Sequence, residues 1–388
     1  MTAPTATDAP RPEVGRSRAR KEDARLVTGR TTWTDNITMP GLLHLAILRS
    51  PTAHARIDRI DVAPALERPG VIAALTGRDL ADEPGPMPCV WPVTEDIVMP
   101  DHPAFAVDEV RYAGEPVAVV VARGRYAAAD ALEAVEVDYT PLPPVLGLEA
   151  APADDAPLVH AGKGTNRCYT WPLDTGNYAA QKARADVVLR RRYTQQRLIP
   201  NAVEPRAVIA TPPTASNEYT LYSATQVPHV ARVILSVVTG IPEQRLRVIA
   251  PDVGGGFGSK LQVYGEEAVA LALARKLGRP AKWTESRSEG SRAPTEGNLV
   301  SGTMADHLVP AAPDLPDFVT DRTETPATSD ALGVKGVGEA GTIASTPAVV
   351  NAVVDALRPL GVRDVAMPCT PQRIWQAVTD ARAKEAKT

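Results

Sequence analysis

The sequence has few cysteines, and this scarcity excludes several kinds of site. Only three occur, Cys89, Cys168 and Cys369. An odd, widely spaced set provides neither a disulfide framework nor a zinc-ligand pattern, and three thiols are too few to hold the iron–sulfur clusters of an electron-transfer protein. Sparse cysteine use of this kind is typical of the reducing cytoplasm, which is the expected location.

Long charged and long apolar runs are scarce as well. The formal net charge is −4, and no long basic run follows residue 25, so nucleic acid and anionic membranes are not expected as partners. No run of about 18 apolar residues is present, so no membrane span is expected. Residues 1–19 lack the apolar core of a Sec signal and are rich in Pro, Ala and Thr, which predicts a disordered segment.

Hydrophobic patterning predicts several units of mixed secondary structure. Apolar residues make up 44% of the chain, enough for substantial cores. Alternating and β-branched runs with helical segments between them predict an α+β unit over residues 20–145. Residues 146–165 are rich in Ala, Pro, Asp and Gly and are interpreted as a linker. A second unit is predicted over residues 166–288, and a change of composition sets off a third over residues 289–388.

Some local predictions concern the second and third units. The run Ala185–Tyr193 is predicted to be a strand. Near the end of the chain, one helix is expected to have Pro347 at its start. Another is expected to begin with Thr370 as its cap and Pro371 as its first residue, because proline fits the first turn of a helix.

The strongest local signal is the glycine-rich segment Gly254–Lys260, between a predicted strand, Leu246–Ala250, and a predicted helix, Gly265–Leu277. Glycines lack a Cβ, so their backbone N–H groups can approach an anionic ligand, and the following helix start adds partial positive charge. A phosphate, pterin or oxyanion ligand is one interpretation. On spacing alone a structural turn explains the segment equally well, because it matches neither GxGxxG nor the Walker A pattern.

Two further segments carry polar candidates. Gln226 follows a predicted strand and can donate a hydrogen bond to an oxo group. His229, close by, is more simply interpreted as structural. Glu339 lies among small residues in Gly333–Thr342, which suits a general base that faces a substrate. On spacing alone a loop or capping glutamate is the favoured interpretation of Glu339. No His, Cys and Asp cluster has metal-ligand spacing.

Taken together and in this order, these segments identify a protein family far more specifically than any one of them does alone. In order along the chain, TQVPH, PDVGGGFGSK and LGVKGVGEAGT resemble the molybdopterin-binding large subunit of the xanthine dehydrogenase / aerobic carbon monoxide dehydrogenase family. The segments LRSPTAHARI, VRYAGEPVAVVVARGRYAAADALEAVEVDY and MPCTPQRIWQAV extend the resemblance to most of the chain. It implies an α+β fold: an a/b hammerhead domain at 20–145, a first molybdopterin-binding domain at 166–288, and the C-terminal part of a second at 289–388.

The resemblance implies a molybdenum hydroxylase-type oxidoreductase that hydroxylates a small aldehyde or heterocycle with oxygen from water, or oxidises CO. Its cofactor would be molybdopterin cytosine dinucleotide, with the molybdenum held through the pterin and by no protein ligand. Gln226 would contact the apical oxo ligand, and Glu339 would be the catalytic base. Electrons would pass to an iron–sulfur small subunit and an FAD medium subunit in a hetero-oligomer. The remaining cofactor-binding positions are implied to be Gly255, Gly256, Phe257, Gly258, Gly338, Ala340, Gly341 and Thr342.

Two departures from the family pattern bear on function. Leu261 stands where purine-oxidising members have a glutamate, so a purine substrate is not expected. Near residues 290–295 the pattern jumps from the family's middle to a point near its end, which indicates an internal deletion of the central region. The family's cofactor lies between two halves, so the deletion removes a wall of the pocket and admits water. The alternative is therefore a non-catalytic remnant that acts at most as a partner-binding module.

Overall fold

The structure is a computed structural model that describes most of the chain in two compact units. We call Thr32–Leu189 with Ile199–Val309 the core unit, and Met1–Thr31 with Arg190–Leu198 and Pro310–Thr388 the tail unit. The described residues are 19–88, 94–174, 176–190, 192, 202–290, 293–295, 298–301, 317, 319, 321, 323, 325–329, 331–336 and 340–385.

Helices and strands alternate along the described residues, as expected for an α+β chain. The helices are α1 (Asp23–Val27), α2 (Ala63–Leu66), α3 (Arg125–Leu132), α4 (Tyr178–Arg184), α5 (Pro228–Thr239), α6 (Gly265–Leu277), α7 (Arg287–Gly290), α8 (Ala340–Leu357) and α9 (Pro371–Glu385). The strands are β1 (Leu43–Arg49), β2 (Ala55–Asp61), β3 (Val71–Thr76), β4 (Glu109–Val110), β5 (Pro116–Ala122), β6 (Glu136–Pro141), β7 (Ala207–Ala210), β8 (Tyr219–Ser223), β9 (Leu246–Ile249), β10 (Ala281–Thr284), β11 (Ala293–Thr295) and β12 (Asn298–Ser301).

One mixed sheet runs through the core unit, with the strand order β3-β5-β1-β10-β7-β8-β9. At its middle, β1 pairs antiparallel with β5 on one side and parallel with β10 on the other, with Leu43 opposite Ala281. Strands from residues 20–145 and from residues 166–288 therefore share one sheet. A smaller sheet, β4-β2-β6, also belongs to the core unit.

The main core lies where helices cover this sheet. All seven residues of β5 are buried, which explains its unbroken apolar sequence: a strand enclosed on both faces has no polar side. Helix α3 packs on β1 and β5, and α6 packs on β7 and β10. Helix α5 turns Leu235 toward the core, whereas its Val237 is 77% exposed. The sheet and α6 together fix the position of the loop that joins β9 to α6.

Two local predictions were wrong. Residues 185–190 form no strand, and the side chains of Val187 and Leu189 are exposed. Strand propensity depends on a partner strand and a covered face, and these side chains have no such cover. Helix α8 begins at Ala340, so Pro347 lies inside the helix; proline removes one backbone hydrogen bond there without ending the helix.

The prediction for the last helix is confirmed. Helix α9 begins at Pro371, and the Arg373 N–H donates to Thr370 Oγ1 at 3.4 Å. None of the helices in the described residues is both long enough and apolar enough to cross a bilayer.

Candidate cofactor site

The glycine loop, which we define as residues 254–260, leaves β9 in a conformation that few residues other than glycine adopt. Gly255 and Gly258 have φ angles of +97° and +89°, and Phe257 between them has +51°. A positive φ is uncommon for a bulky residue and costs energy. Ser259 closes the turn, because its N–H and its hydroxyl both donate to the Gly256 carbonyl, at 2.9 and 2.8 Å.

The structure places Gln226 directly against this loop. Gln226 Oε1 accepts the Gly258 N–H at 3.1 Å. A Cβ added to Gly256 would lie 2.4 Å from that same oxygen, closer than real contacts allow. Only glycine therefore fits at position 256 while Gln226 keeps this place. With Oε1 engaged, the Nε2 group of Gln226 is left to donate, and it has no partner among the described residues.

Three consecutive backbone donors in the loop are open. Among the described residues, no group accepts a hydrogen bond from the N–H of Gly255, Gly256 or Phe257. Most backbone N–H groups with restricted access to water are paired, so a row of open ones at the partly covered Gly255 and the buried Gly256 indicates a site for a ligand acceptor. The side chain of Phe257 is 56% exposed beside them.

The segment that enters the core unit supports the loop from another side. The Thr32 N–H donates to Asp252 Oδ2 at 2.9 Å, and the Asp252 N–H returns a bond to the Thr32 carbonyl at 3.1 Å. Trp33 forms a parallel bridge with Asp252, and its ring would lie 3.4 Å from a Cβ at Gly254. The start of the loop is thereby held against the entry segment.

A buried ion pair, which the sequence analysis missed, lies under the loop. Lys260 Nζ is 2.8 Å from Glu204 Oε2, and the same oxygen accepts the Gly254 N–H at 2.7 Å. The available signal was a pair of charges, Glu204 and Arg206, directly before the apolar strand β7. Charged residues at the start of a buried strand require partners, but the sequence does not name them.

Arg206 belongs to a second buried network, at the start of α6. Its guanidinium lies over the Tyr264 ring, 4.0 Å from the centroid, and pairs with Glu285 at 2.8 Å. Arg49, from β1, pairs with Glu266 at 2.6 Å. Burial would raise the pKa of Glu266, but the charges of Arg206 and Arg49 outweigh burial and lower that pKa to about 2. The network ties β1, β7 and β10 to the helix that follows the loop.

The other expected site residues belong to the tail unit. Gly338 and Glu339 lie outside the described residues. Ala340 and Gly341 are the first residues of α8 and are exposed, and Thr342 follows in the same helix. The approach of Glu339 to the glycine loop therefore stays a prediction. Over the described residues, no group of three or more His, Cys, Asp and Glu side chains is placed to hold a metal ion.

Comparison with known proteins identifies both parts of the core unit. Residues 28–143 match the family model "Aldehyde oxidase and xanthine dehydrogenase, a/b hammerhead domain". Residues 159–306 match the model "Molybdopterin cofactor-binding domain". The chain thus combines an a/b hammerhead domain with a molybdopterin cofactor-binding domain, in that order. The chain belongs to the xanthine dehydrogenase / aerobic carbon monoxide dehydrogenase family, and it is related to the molybdenum-binding large subunits of that family.

Individual relatives agree with this assignment. The chain is 38% identical over 283 residues to the carbon monoxide dehydrogenase large chain of Hydrogenophaga pseudoflava, covering 69% of this chain and 34% of that one. It is 33% identical over 292 residues to the nicotine 6-hydroxylase large subunit of Paenarthrobacter nicotinovorans, covering 75% and 35%. Quinoline 2-oxidoreductase from Pseudomonas putida 86 is similar in structure, with a TM-score of 0.66, 36% identity and coverage of 71% and 35%. The chain thus spans about a third of the length of these relatives.

Proposed function

We propose that this chain is the cofactor-binding component of a molybdenum hydroxylase-type oxidoreductase. The observation that supports the proposal most directly is the row of open N–H groups at Gly255, Gly256 and Phe257, held beside Gln226. Such a row suits a ligand rich in acceptor oxygens, and the molybdopterin cofactor is a ligand of that kind.

The residues of this loop fit the cofactor in chemistry as well as in space. Gly256 has no Cβ, and Gln226 occupies the space that a Cβ would take, so the amide of Gln226 lies close to the open N–H groups. When bound, the cofactor supplies a redox-active molybdenum centre for the oxidation of a substrate carbon. Gln226 would donate from Nε2 and orient the bound group, and the exposed ring of Phe257 would face the substrate and limit access of water.

Glu339 is proposed as the catalytic base. Its carboxylate would take up a proton from the water-derived oxygen that adds to the substrate, a task that suits a carboxylate held among small residues close to the reacting atoms. Gly338, Ala340, Gly341 and Thr342 would support the cofactor beside it.

The finer assignments follow the family and the relatives' names. We propose the cytosine dinucleotide form of the cofactor and a small aldehyde, a heterocycle or CO as substrate. We also propose that electrons pass to an iron–sulfur small subunit and an FAD medium subunit in a cytoplasmic hetero-oligomer. Relatives called a "large chain" and a "large subunit" are in keeping with partner subunits for this chain.

The test is the molybdenum and pterin content of the chain after co-expression with candidate small and medium subunits, in cells that load a full-length relative. About one molybdenum and one pterin per chain is the expected result. Absence of both, while the relative loads normally in the same cells, would contradict the proposal.

Replacement of Glu339 then tests the catalytic role separately from binding. Glu339→Gln keeps the size of the side chain and removes its basic carboxylate, so the loaded protein should lose about 10²–10⁴-fold in turnover, the usual contribution of a general base. Molybdenum content should be unchanged. Asp355→Asn, an exposed carboxylate on α8, is the matched control and should keep full turnover.

A non-catalytic role is the second candidate, and the jump in the family pattern near residues 290–295 favours it. The chain spans about a third of each large-subunit relative, and the segments on the two sides of this jump are far apart in the family pattern. In this case the core unit would bind partner subunits without cofactor. Stable co-purification with those subunits at negligible molybdenum content would support this candidate over the first.

A further inference from the structure

One buried carboxylate joins the two ends of the glycine loop. Glu204 Oε2 accepts hydrogen bonds from the Gly254 N–H at 2.7 Å and from Lys260 Nζ at 2.8 Å. The Glu204 N–H in turn donates to the Gly254 carbonyl at 3.3 Å. The Glu204 and Lys260 side chains are only 11% and 1% exposed, so water screens the pair little. A single side chain from the segment before β7 therefore holds the first and the last residue of the loop.

Lys260 extends this link to Gln226. The Lys260 carbonyl accepts the Gln226 N–H at 2.9 Å and the Thr225 hydroxyl at 3.2 Å. The Gln226 side chain then returns to the loop, where it accepts the Gly258 N–H. Glu204, Lys260 and Gln226 thus form a continuous hydrogen-bonded path around the open donors.

We propose that Glu204, through its ion pair with Lys260, is a positioning residue that sets the spacing of the open N–H groups of Gly255, Gly256 and Phe257. Glycines are free to adopt many conformations, so an external constraint must select one. Charge-assisted hydrogen bonds are about twice as strong as neutral ones, which suits one oxygen for that task. The inference rests on the proposed function only for the identity of the ligand.

Only one of the two carboxylate oxygens of Glu204 contacts the loop. Oε1 is buried and has no hydrogen-bond partner among the described residues, so Oε2 makes both contacts to the loop. A pair that served only to neutralise two buried charges could be replaced by two neutral side chains of similar size at little cost. A positioning pair could not, because the neutral side chains would no longer join the ends of the loop.

The test compares Glu204→Gln, the double variant Glu204→Gln/Lys260→Met and wild type by hydrogen exchange, in the chain without cofactor. The readout is the loop peptide that holds the bonded amides of Gly258, Ser259 and Leu261, and α6 reports on global stability. Both variants should exchange at these loop amides at least tenfold faster than wild type. In the double variant α6 should exchange as in wild type. Molybdenum content after co-expression should fall in both variants.

Glu243→Gln is the matched control, because it removes one partner of an exposed ion pair with Arg232. This variant should leave the exchange rates of the loop amides unchanged. The inference would be overturned if the loop amides of Glu204→Gln, or of the double variant, exchanged at the same rate as in wild type. If Glu204→Gln does not fold, the double variant decides. If the wild-type chain takes up no molybdenum but the loop amides exchange faster in the variants, the result would count against the proposed function and not against the positioning role of Glu204.

Discussion

At Gly256 a hydrogen atom in place of a side chain allows the loop and Gln226 to occupy neighbouring positions. Gly256→Ala would place a Cβ 2.4 Å from Gln226 Oε1, so Gln226 must move and lose the Gly258 N–H. Because Gln226 is an exposed side chain that can move aside, we expect a loss of about 1 kcal/mol in unfolding free energy, the lower end of the usual cost of overpacking, measured by urea unfolding. Gly124→Ala, where an added Cβ meets nothing within 4 Å, is the control. Equal stability of the two variants would contradict the contact.

Glu115 gives the core unit a pH dependence of defined sign. Burial raises the pKa of this carboxyl from 4.5 to about 7, although the Arg111 N–H donates to it at 2.5 Å. The folded chain therefore holds this proton more tightly than the unfolded chain. Below about pH 4.5 the contribution of Glu115 is fully present, and it is lost as the pH rises toward 7.

Glu115→Gln should remove this dependence, because an amide of the same shape does not titrate. Relative to wild type, the variant should gain up to about 3 kcal/mol in unfolding free energy between pH 4.5 and pH 7.5, at 1.36 kcal/mol per pKa unit. Urea unfolding of both proteins across that range measures the difference. The exposed Glu67→Gln is the control, and parallel curves for Glu115→Gln and wild type would show that burial of Glu115 has no such effect.

At the scale of the element, α5 offers two apolar residues in opposite environments. Leu235 is fully buried in the main core, and Val237 is 77% exposed. Leu235→Ala removes packed atoms and leaves a cavity, so it should lower the unfolding free energy by about 2–5 kcal/mol. Val237→Ala on the same helix should stay within about 0.5 kcal/mol of wild type. Urea unfolding checks both, and similar losses would mean that the helix packs with a different face.

Elements with strong local signals could be predicted from the sequence. The valine-rich run 117–122 is typical of a strand and lies in β5. Gly278, with a φ of +62°, follows the end of α6, as is common for a C-terminal glycine. The start of α8 was missed, because a proline near a helix start looks the same in sequence as one inside a helix.

For the candidate site, the sequence singled out the glycine loop and Gln226, which the structure brings together, but not the residues that support them. Along the sequence, Glu204 is 56 residues from Lys260, and Arg206 is 60 residues from Glu266. Each is an ordinary charged residue in its own segment. Their partners depend on which strands become neighbours in the sheet, and a parallel pairing such as that of β1 with β10 leaves no local signal.

At the scale of the whole molecule, the shared sheet makes the hammerhead segment depend on the segment that carries the loop. Strand β1 has β5 on one side and β10 on the other, and Leu43 and Leu45 pack in one core with Trp283. A fragment of residues 32–145 would keep β1 to β6 but leave β1 as an uncovered, apolar edge strand. Such edges pair with other chains, so the fragment should aggregate.

Size-exclusion chromatography with light scattering, and urea unfolding followed by circular dichroism, can test this dependence. Residues 32–290, which restore β7 to β10 and α6, should be monomeric and unfold in one cooperative transition, whereas residues 32–145 should form large species or unfold without cooperativity. A monomeric 32–145 fragment with the unfolding midpoint of the longer one would mean that β1 needs no cover from β10. The hammerhead segment would then be an independent domain that needs none of the strands β7 to β10.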